Sequence, residues 1–147
     1  MTNLNELYQE LIIDHGRHPR NFKQLLNPTT QKEGLNPLCG DRLTLFLEIE
    51  NEVILNVSFE GAGCAISMAS ASLMTESLKG KKIADAKKLF DAFHQMVTGH
   101  AADETLLGKL AVLKGVCEYP MRVKCATLAW HTAMAAIAQS QDPVSTE

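Results

Sequence analysis

Four cysteines stand at positions 39, 64, 117 and 125, and three of them lie in short segments whose neighbours bear on sulfur and metal chemistry. Cys39-Gly40-Asp41 sets a thiol and a carboxylate two residues apart. In extended chain both would point the same way, in phase with Leu43, Leu45 and Leu47, and would converge at the edge of a core. Asp beside Gly is equally ordinary turn chemistry. In Gly61-Ala62-Gly63-Cys64 the glycines permit close backbone approach, and Cys64 falls at a helix start. Free N–H groups and the helix dipole favour a thiolate there. Arg122-Val123-Lys124-Cys125 places a third thiol near a helix start with two cations beside it. Arg122 and Cys125, three apart, share a face. Cations oppose the dipole at a helix N-terminus, so this mismatch hints at function.

Three cysteines and one aspartate from separate segments make a four-ligand set that suits zinc or a cluster iron. Spacing alone does not decide it. There is no Cys-x-x-Cys pair, and any single free Cys is as readily a small buried hydrophobe. Cys117 falls in a helix connection and reads as a spare thiol. His94 and His131 fall inside helices, His100 follows one, and Asp14-His15 with His18 closes the first. All read as end-of-helix or packing residues. Met68, Met74, Met96 and Met134 read as gap-filling core residues.

The elements that must position these groups follow from composition and periodicity. The chain has 147 residues, 46% hydrophobic and 21% charged, which fits one domain over 1–147 able to bury a core without metal or disulfides. Net charge is −3, and the basic residues form no stripe, which argues against a nucleic-acid surface. No apolar run approaches the roughly 20 residues that span a bilayer. Met1 to Glu10 lacks the pattern of a signal peptide. The expected location is the cytoplasm, where dispersed cysteines are thiols or ligands rather than disulfides.

Leu4, Leu7, Tyr8, Leu11 and Ile12 keep helical spacing, with Asn3 and Glu6 as a capping box and Gly16 and Pro19 as terminators. A short edge strand is expected around Thr30 to Leu35. Leu43, Leu45, Leu47 and Ile49, then Val53, Leu55, Val57 and Phe59, alternate with mostly polar residues about Asn51-Glu52. That pattern predicts an antiparallel hairpin with one face packed and the other largely wet. Helices are expected from Cys64 to Lys79, from Ile83 to near Gly99, and over Leu106, Leu110 and Leu113 up to Gly115. A last helix has Pro120 in its first turn and a stripe through Val123, Ala126, Trp130, Ala133 and Ile137, with a polar tail from Gln139. The fold class is α+β: a small antiparallel sheet covered by helices.

Taken together, Asp14-His15, Pro19-Arg20-Asn21, Asn36-Pro37-Leu38-Cys39-Gly40-Asp41, Gly61-Ala62-Gly63-Cys64-Ala65-Ile66-Ser67, Ala69-Ser70-Ala71-Ser72 and Val123-Lys124-Cys125-Ala126-Thr127-Leu128-Ala129-Trp130 resemble the SufU branch of the U-type iron–sulfur scaffold family, the IscU/NifU N-terminal-like superfamily. The resemblance runs from about Leu4 to Ala138. It implies a SufE/IscU-like fold, a three-stranded antiparallel sheet packed by about five helices. It carries a metal-ligand role onto Cys39, Asp41, Cys64 and Cys125, and none onto Cys117. It implies a zinc-dependent sulfurtransferase role, with persulfide sulfur taken from a SufS-like cysteine desulfurase by Cys39 and Arg122 beside the site. The alternative it carries is a scaffold holding a transient [2Fe–2S] cluster on Cys39, Cys64 and Cys125 and passing it to apo iron–sulfur proteins. Lys124, where IscU-like scaffolds have His, and the helical stretch between Gly80 and Gly115 favour the zinc reading.

Overall fold

The computed structural model describes residues 4–141 and the side chains of residues 8–139. In chain order it has α1 (Leu4–Arg17), β1 (Thr30–Asn36), β2 (Asp41–Glu50), β3 (Val53–Ala62), α2 (Ala65–Leu78), α3 (Ile83–Val97), α4 (Glu104–Leu107), a 3-10 helix (Gly108–Glu118) and α5 (Pro120–Gln141). The expected capping residue Asn3 lies outside the described residues. So does most of the expected polar tail, although α5 itself continues through Gln139 to Gln141. Among the described residues no helix is long and apolar enough to cross a membrane.

The sheet is antiparallel in the order β1-β2-β3, so the α+β class and the three strands are as expected. Leu45 sits opposite Lys32 on one side and Phe59 on the other. Leu43, Leu45, Leu47, Val57 and Phe59 form the buried row that faces the helices. The β2–β3 turn puts Asn51 and Glu52 at φ 51° and 63°. Two left-handed central residues make a type I′ hairpin, whose twist matches the strands even without the usual Gly.

Two details of the sheet differ from the alternating pattern. A bulge between Glu48 and Ile49 shifts the register, so that Ile49 pairs with Ile54. Ile54 is therefore buried and Leu55 exposed, the reverse of the expected phase. The second face is also not largely wet, because Phe46 and Ser58 are buried there. The segment after α1 returns along β3, with Phe59 N–H donating to the Asn21 carbonyl and Lys23 N–H to that of Phe59, each at 3.0 Å. Residues 23–27 then border Glu48 and Asn56 on that face.

α2 is the central helix. Every residue from Ser67 to Thr75 is buried, because α1, α5, β3 and the 3-10 helix all pack on it. Its small Ala and Ser side chains let those elements come close, and their hydroxyls find partners in place of water. Ser70 Oγ donates to the Ala126 carbonyl of α5 at 2.6 Å, which ties the helix following Cys64 to the helix carrying Cys125. Across the sheet, a Cβ on Gly34 of β1 would collide with Thr132 of α5, so glycine lets that helix lie close on the strand. Trp130 stacks on Phe93 with ring centroids 4.5 Å apart.

The stretch expected as a short helix closed by Gly115 folds differently. Asp103 Oδ1 accepts from the Thr105 and Leu106 N–H groups, which starts α4. Gly108 at φ 55° ends it after one turn. The chain continues as a 3-10 helix through Gly115 to Glu118. Leu107, the last residue of α4, and Leu110, Leu113 and Val116 of the 3-10 helix are buried at every third position, the repeat of a 3-10 rather than an α-helix, with Val112 buried beside them.

Candidate metal centre

Three junctions bring the candidate residues to one end of the sheet. The first is the turn from β1 to β2, residues 37–40. Cys39 lies in this turn and not in extended chain, its N–H donating to the Asn36 carbonyl at 3.3 Å. Gly40 takes φ 71°, a left-handed conformation that a Cβ disfavours. The turn leaves Cys39 half-buried. Asp41, the first residue of β2, heads the buried row as its phase predicted and is 2% exposed.

The second junction joins β3 to α2. Cys64 is the N-cap of α2, with φ −70° and ψ 166°, and its sulfur accepts the Ser67 N–H at 3.4 Å. Its own N–H donates to Asp41 Oδ1 at 2.9 Å. Gly63 makes room for that carboxylate, since a Cβ there would stand 2.6 Å from Asp41 Oδ1. The third junction is the start of α5, which places Cys125 in its second turn, fully buried.

The Cys125 and Cys39 sulfurs are 3.1 Å apart. One donor atom each from Cys39, Asp41 and Cys125 lies within 4.8 Å of the others, a group that could hold a metal ion. Cys64 flanks this group and is not within it. Its thiol is among the neighbours that, after burial and together with Cys39 and Asp41, push the Cys125 thiol well above the usual cysteine range. Arg122 is exposed, with Nη1 4.0 Å from the Cys125 sulfur. That contact, followed by the charges of the three cysteines, raises its pKa. Cys117 sits apart in the 3-10 helix, half-buried.

The electrostatics are those of a site that accepts a cation. A buried carboxylate makes no ion pair among the described residues, and it stands beside a buried thiol and two further sulfurs. Leaving such a carboxylate charged is unfavourable without a compensating positive charge. Zinc accepts both thiolate and carboxylate ligands in a tetrahedral set, so the donors present fit it. Around the rim Leu38, Tyr119 and Met121 are exposed apolar side chains. They come from the same turn and helix start that carry Cys39 and Cys125. A cleft of about 370 Å³ opens beside them, lined by Tyr8, Ile12, Ile66, Val116, Tyr119 and Arg122.

Residue-type reasoning passed over two supports of this site. Asn36 lies at 6% exposure with its amide nitrogen 3.2 Å from Asp41 Oδ2; pairing across the turn was the only signal that could have found it. His15 is no mere helix end: its ring Nδ1 is 2.7 Å from Ser72 Oγ, which also accepts the Arg20 N–H at 2.8 Å. Together with the Arg20–Asp14 ion pair at 2.6 Å, this fixes α1 and its exit against α2. Burial, followed by the Arg20 charge, lowers the His15 pKa.

The chain is similar in sequence and fold to known proteins. The chain is 41% identical over 141 residues to the zinc-dependent sulfurtransferase SufU of Bacillus subtilis, covering 95% of each chain. It is 37% identical to the iron–sulfur cluster assembly scaffold protein IscU of Streptococcus pyogenes, covering 95% of this chain and 88% of that one. Among solved structures it resembles FiSufU of Fervidobacterium islandicum, with a TM-score of 0.85 and 36% identity over 92% of this chain and 99% of that one. Residues 7–126 match the family described as the NifU-like N terminal domain, and the chain belongs to that family.

Proposed function

We propose that this protein acts in iron–sulfur cluster assembly as a zinc-dependent sulfur acceptor, taking persulfide sulfur from a cysteine desulfurase. The observation that carries the reading is the convergence of Cys39, Asp41 and Cys125 within 4.8 Å, with Cys64 anchored to the same carboxylate. The similarity to a protein named as a zinc-dependent sulfurtransferase supports it.

In this reading Asp41, Cys64 and Cys125 hold the metal together with Cys39. Bound zinc supplies thiolates that stay deprotonated at neutral pH, which matters most for Cys125, whose burial otherwise keeps it protonated. Cys39 is the acceptor because it is half-buried in an otherwise exposed turn, whereas Cys125 is inaccessible and the equally half-buried Cys64 is engaged as the N-cap of α2. The Cys39 thiolate attacks the terminal sulfur of the desulfurase persulfide. The new S–S bond forms on Cys39 as the partner's S–S bond breaks, and the partner's cysteine leaves as a thiolate. Arg122, at 4.0 Å from the Cys125 sulfur, is placed to pair with the anionic persulfide. The exposed apolar rim of Leu38, Tyr119 and Met121 gives the desulfurase a surface to cover while water is kept from the exchange. Replacing Cys39 with Ala abolishes uptake of labelled sulfur from a charged desulfurase, while a variant that takes up sulfur at the parent rate contradicts the assignment.

A second reading is supported by the similarity to a protein named as a cluster assembly scaffold. There Cys39, Cys64 and Cys125 hold a transient [2Fe–2S] cluster for delivery to apo iron–sulfur proteins, with Asp41 as the weaker fourth ligand. Iron and sulfide bound to the isolated protein would favour it.

A further inference from the structure

Asn36 ends β1 and pairs in register with Asp41, which begins β2. Its Nδ2 lies 3.2 Å from Asp41 Oδ2 and 3.7 Å from the Cys125 sulfur. A primary amide carries two N–H hydrogens, one for each of these acceptors. The Asp41 carboxylate accepts and does not donate, so the nitrogen end of the amide is the end that faces it. On the other side of the carboxylate, Oδ1 takes the Cys64 N–H at 2.9 Å. Each carboxylate oxygen is thus held by one donor and keeps a second lone pair for a metal. The backbone carbonyl of Asn36 meanwhile accepts the Cys39 backbone N–H at 3.3 Å. One buried residue therefore contacts three of the four candidate ligands, which come from a turn, a strand and a helix.

Resting on the zinc reading above, we infer that Asn36 is a positioning residue of the metal site, its side-chain amide fixing the Asp41 carboxylate and the Cys125 sulfur relative to each other. The two hydrogen bonds hold both ligands in one arrangement before the metal arrives. Outer-shell donors of this kind change metal affinity by roughly 10- to 100-fold when removed. The amide has no bulk to lose in Asn36→Leu, which keeps the side chain's size and deletes only its polar ends.

The test compares parent and Asn36→Leu proteins by cobalt(II) titration and by competition for zinc with a chromophoric chelator. Thermal unfolding of the metal-free forms serves as the measure of fold. The inference expects zinc affinity to fall about 10- to 100-fold, with altered cobalt ligand-field bands and cooperative unfolding retained. Equal affinity and equal cobalt spectra in the two folded proteins would overturn it. A parent protein that binds neither metal would overturn the zinc reading itself, a result distinguishable from the first. If Asn36→Leu does not fold, the parent decides. Its Asn36 side-chain N–H₂ resonances are expected to shift and to gain exchange protection when zinc binds, and resonances that do not move would overturn the inference.

Discussion

Gly63→Ala isolates the steric link between the glycine turn and the Asp41 carboxylate. Gly63 is not among the glycines with positive φ, so its backbone accepts Ala. The difficulty is spatial, because the added Cβ would stand 2.6 Å from Asp41 Oδ1 and 3.1 Å from Cγ. The carboxylate is buried and held from both sides, so it moves only by giving up a hydrogen bond, and the nearest is the 2.9 Å bond from Cys64. A hydrogen bond to a charged group contributes about 1.5–3 kcal/mol. Replacing Gly by Ala at a compatible position returns about 0.4–1 kcal/mol through the unfolded state. The net loss is about 1–2 kcal/mol, or a fall in Tm of roughly 2–8 °C for a chain of this size. Zinc affinity should fall with it, by about 10- to 100-fold, because one of the proposed ligands leaves its place. Calorimetry of the metal-free protein and chelator competition measure the two effects separately. A Tm that rises as expected for an unhindered Gly→Ala change, with unchanged zinc affinity, would refute the reasoning.

Two further outcomes concern the surroundings of the site. His15 and His131 both have pKa values lowered first by burial, so below about pH 6.5 the unfolded chain binds more protons than the folded one. Stability is therefore full above that pH and declines as pH falls toward the lowered folded values. The metal-free protein should show a lower Tm at pH 5.5 than at pH 7.5, and His15→Gln should reduce that difference; a pH-independent Tm contradicts it. Arg122→Ala should slow sulfur transfer by roughly two- to fivefold, as for one exposed charge, while leaving zinc affinity unchanged. A loss of metal without an effect on transfer would reverse the roles assigned to Arg122 and the ligands.

Much of the architecture was legible because the apolar periods were clean. The alternation from Leu43 to Leu47 and the stripe through Ala126, Trp130, Ala133 and Ile137 bury as their spacing requires. Glycine and proline set the bounds of α2 and α5. What escaped depended on partners distant in sequence. The bulge at Glu48/Ile49 exchanged Ile54 for Leu55, and a one-residue shift of this kind leaves no mark in an alternating run. Phe46 is buried on the face beside which the chain after α1 returns. The three-residue repeat through Leu107, Leu110, Leu113 and Val116 was present in the sequence, but it read as a helix because three and four are both α-helical spacings. At the site, residue type pointed to Cys39, Asp41, Cys64 and Cys125. Position in a turn rather than a strand, and the roles of Asn36 and Gly63 around the carboxylate, needed the register of β1 on β2 and the approach of α2.

In the proposed function the buried carboxylate and cysteines form a zinc site serving sulfur transfer. Its most direct test is metal content, acid-labile sulfide and visible absorbance measured together on protein purified without oxygen. About one zinc per chain is expected, as four donors around one ion require, with no sulfide and no visible band. Stoichiometric iron and sulfide with a charge-transfer band would contradict it and place cluster assembly on this site instead.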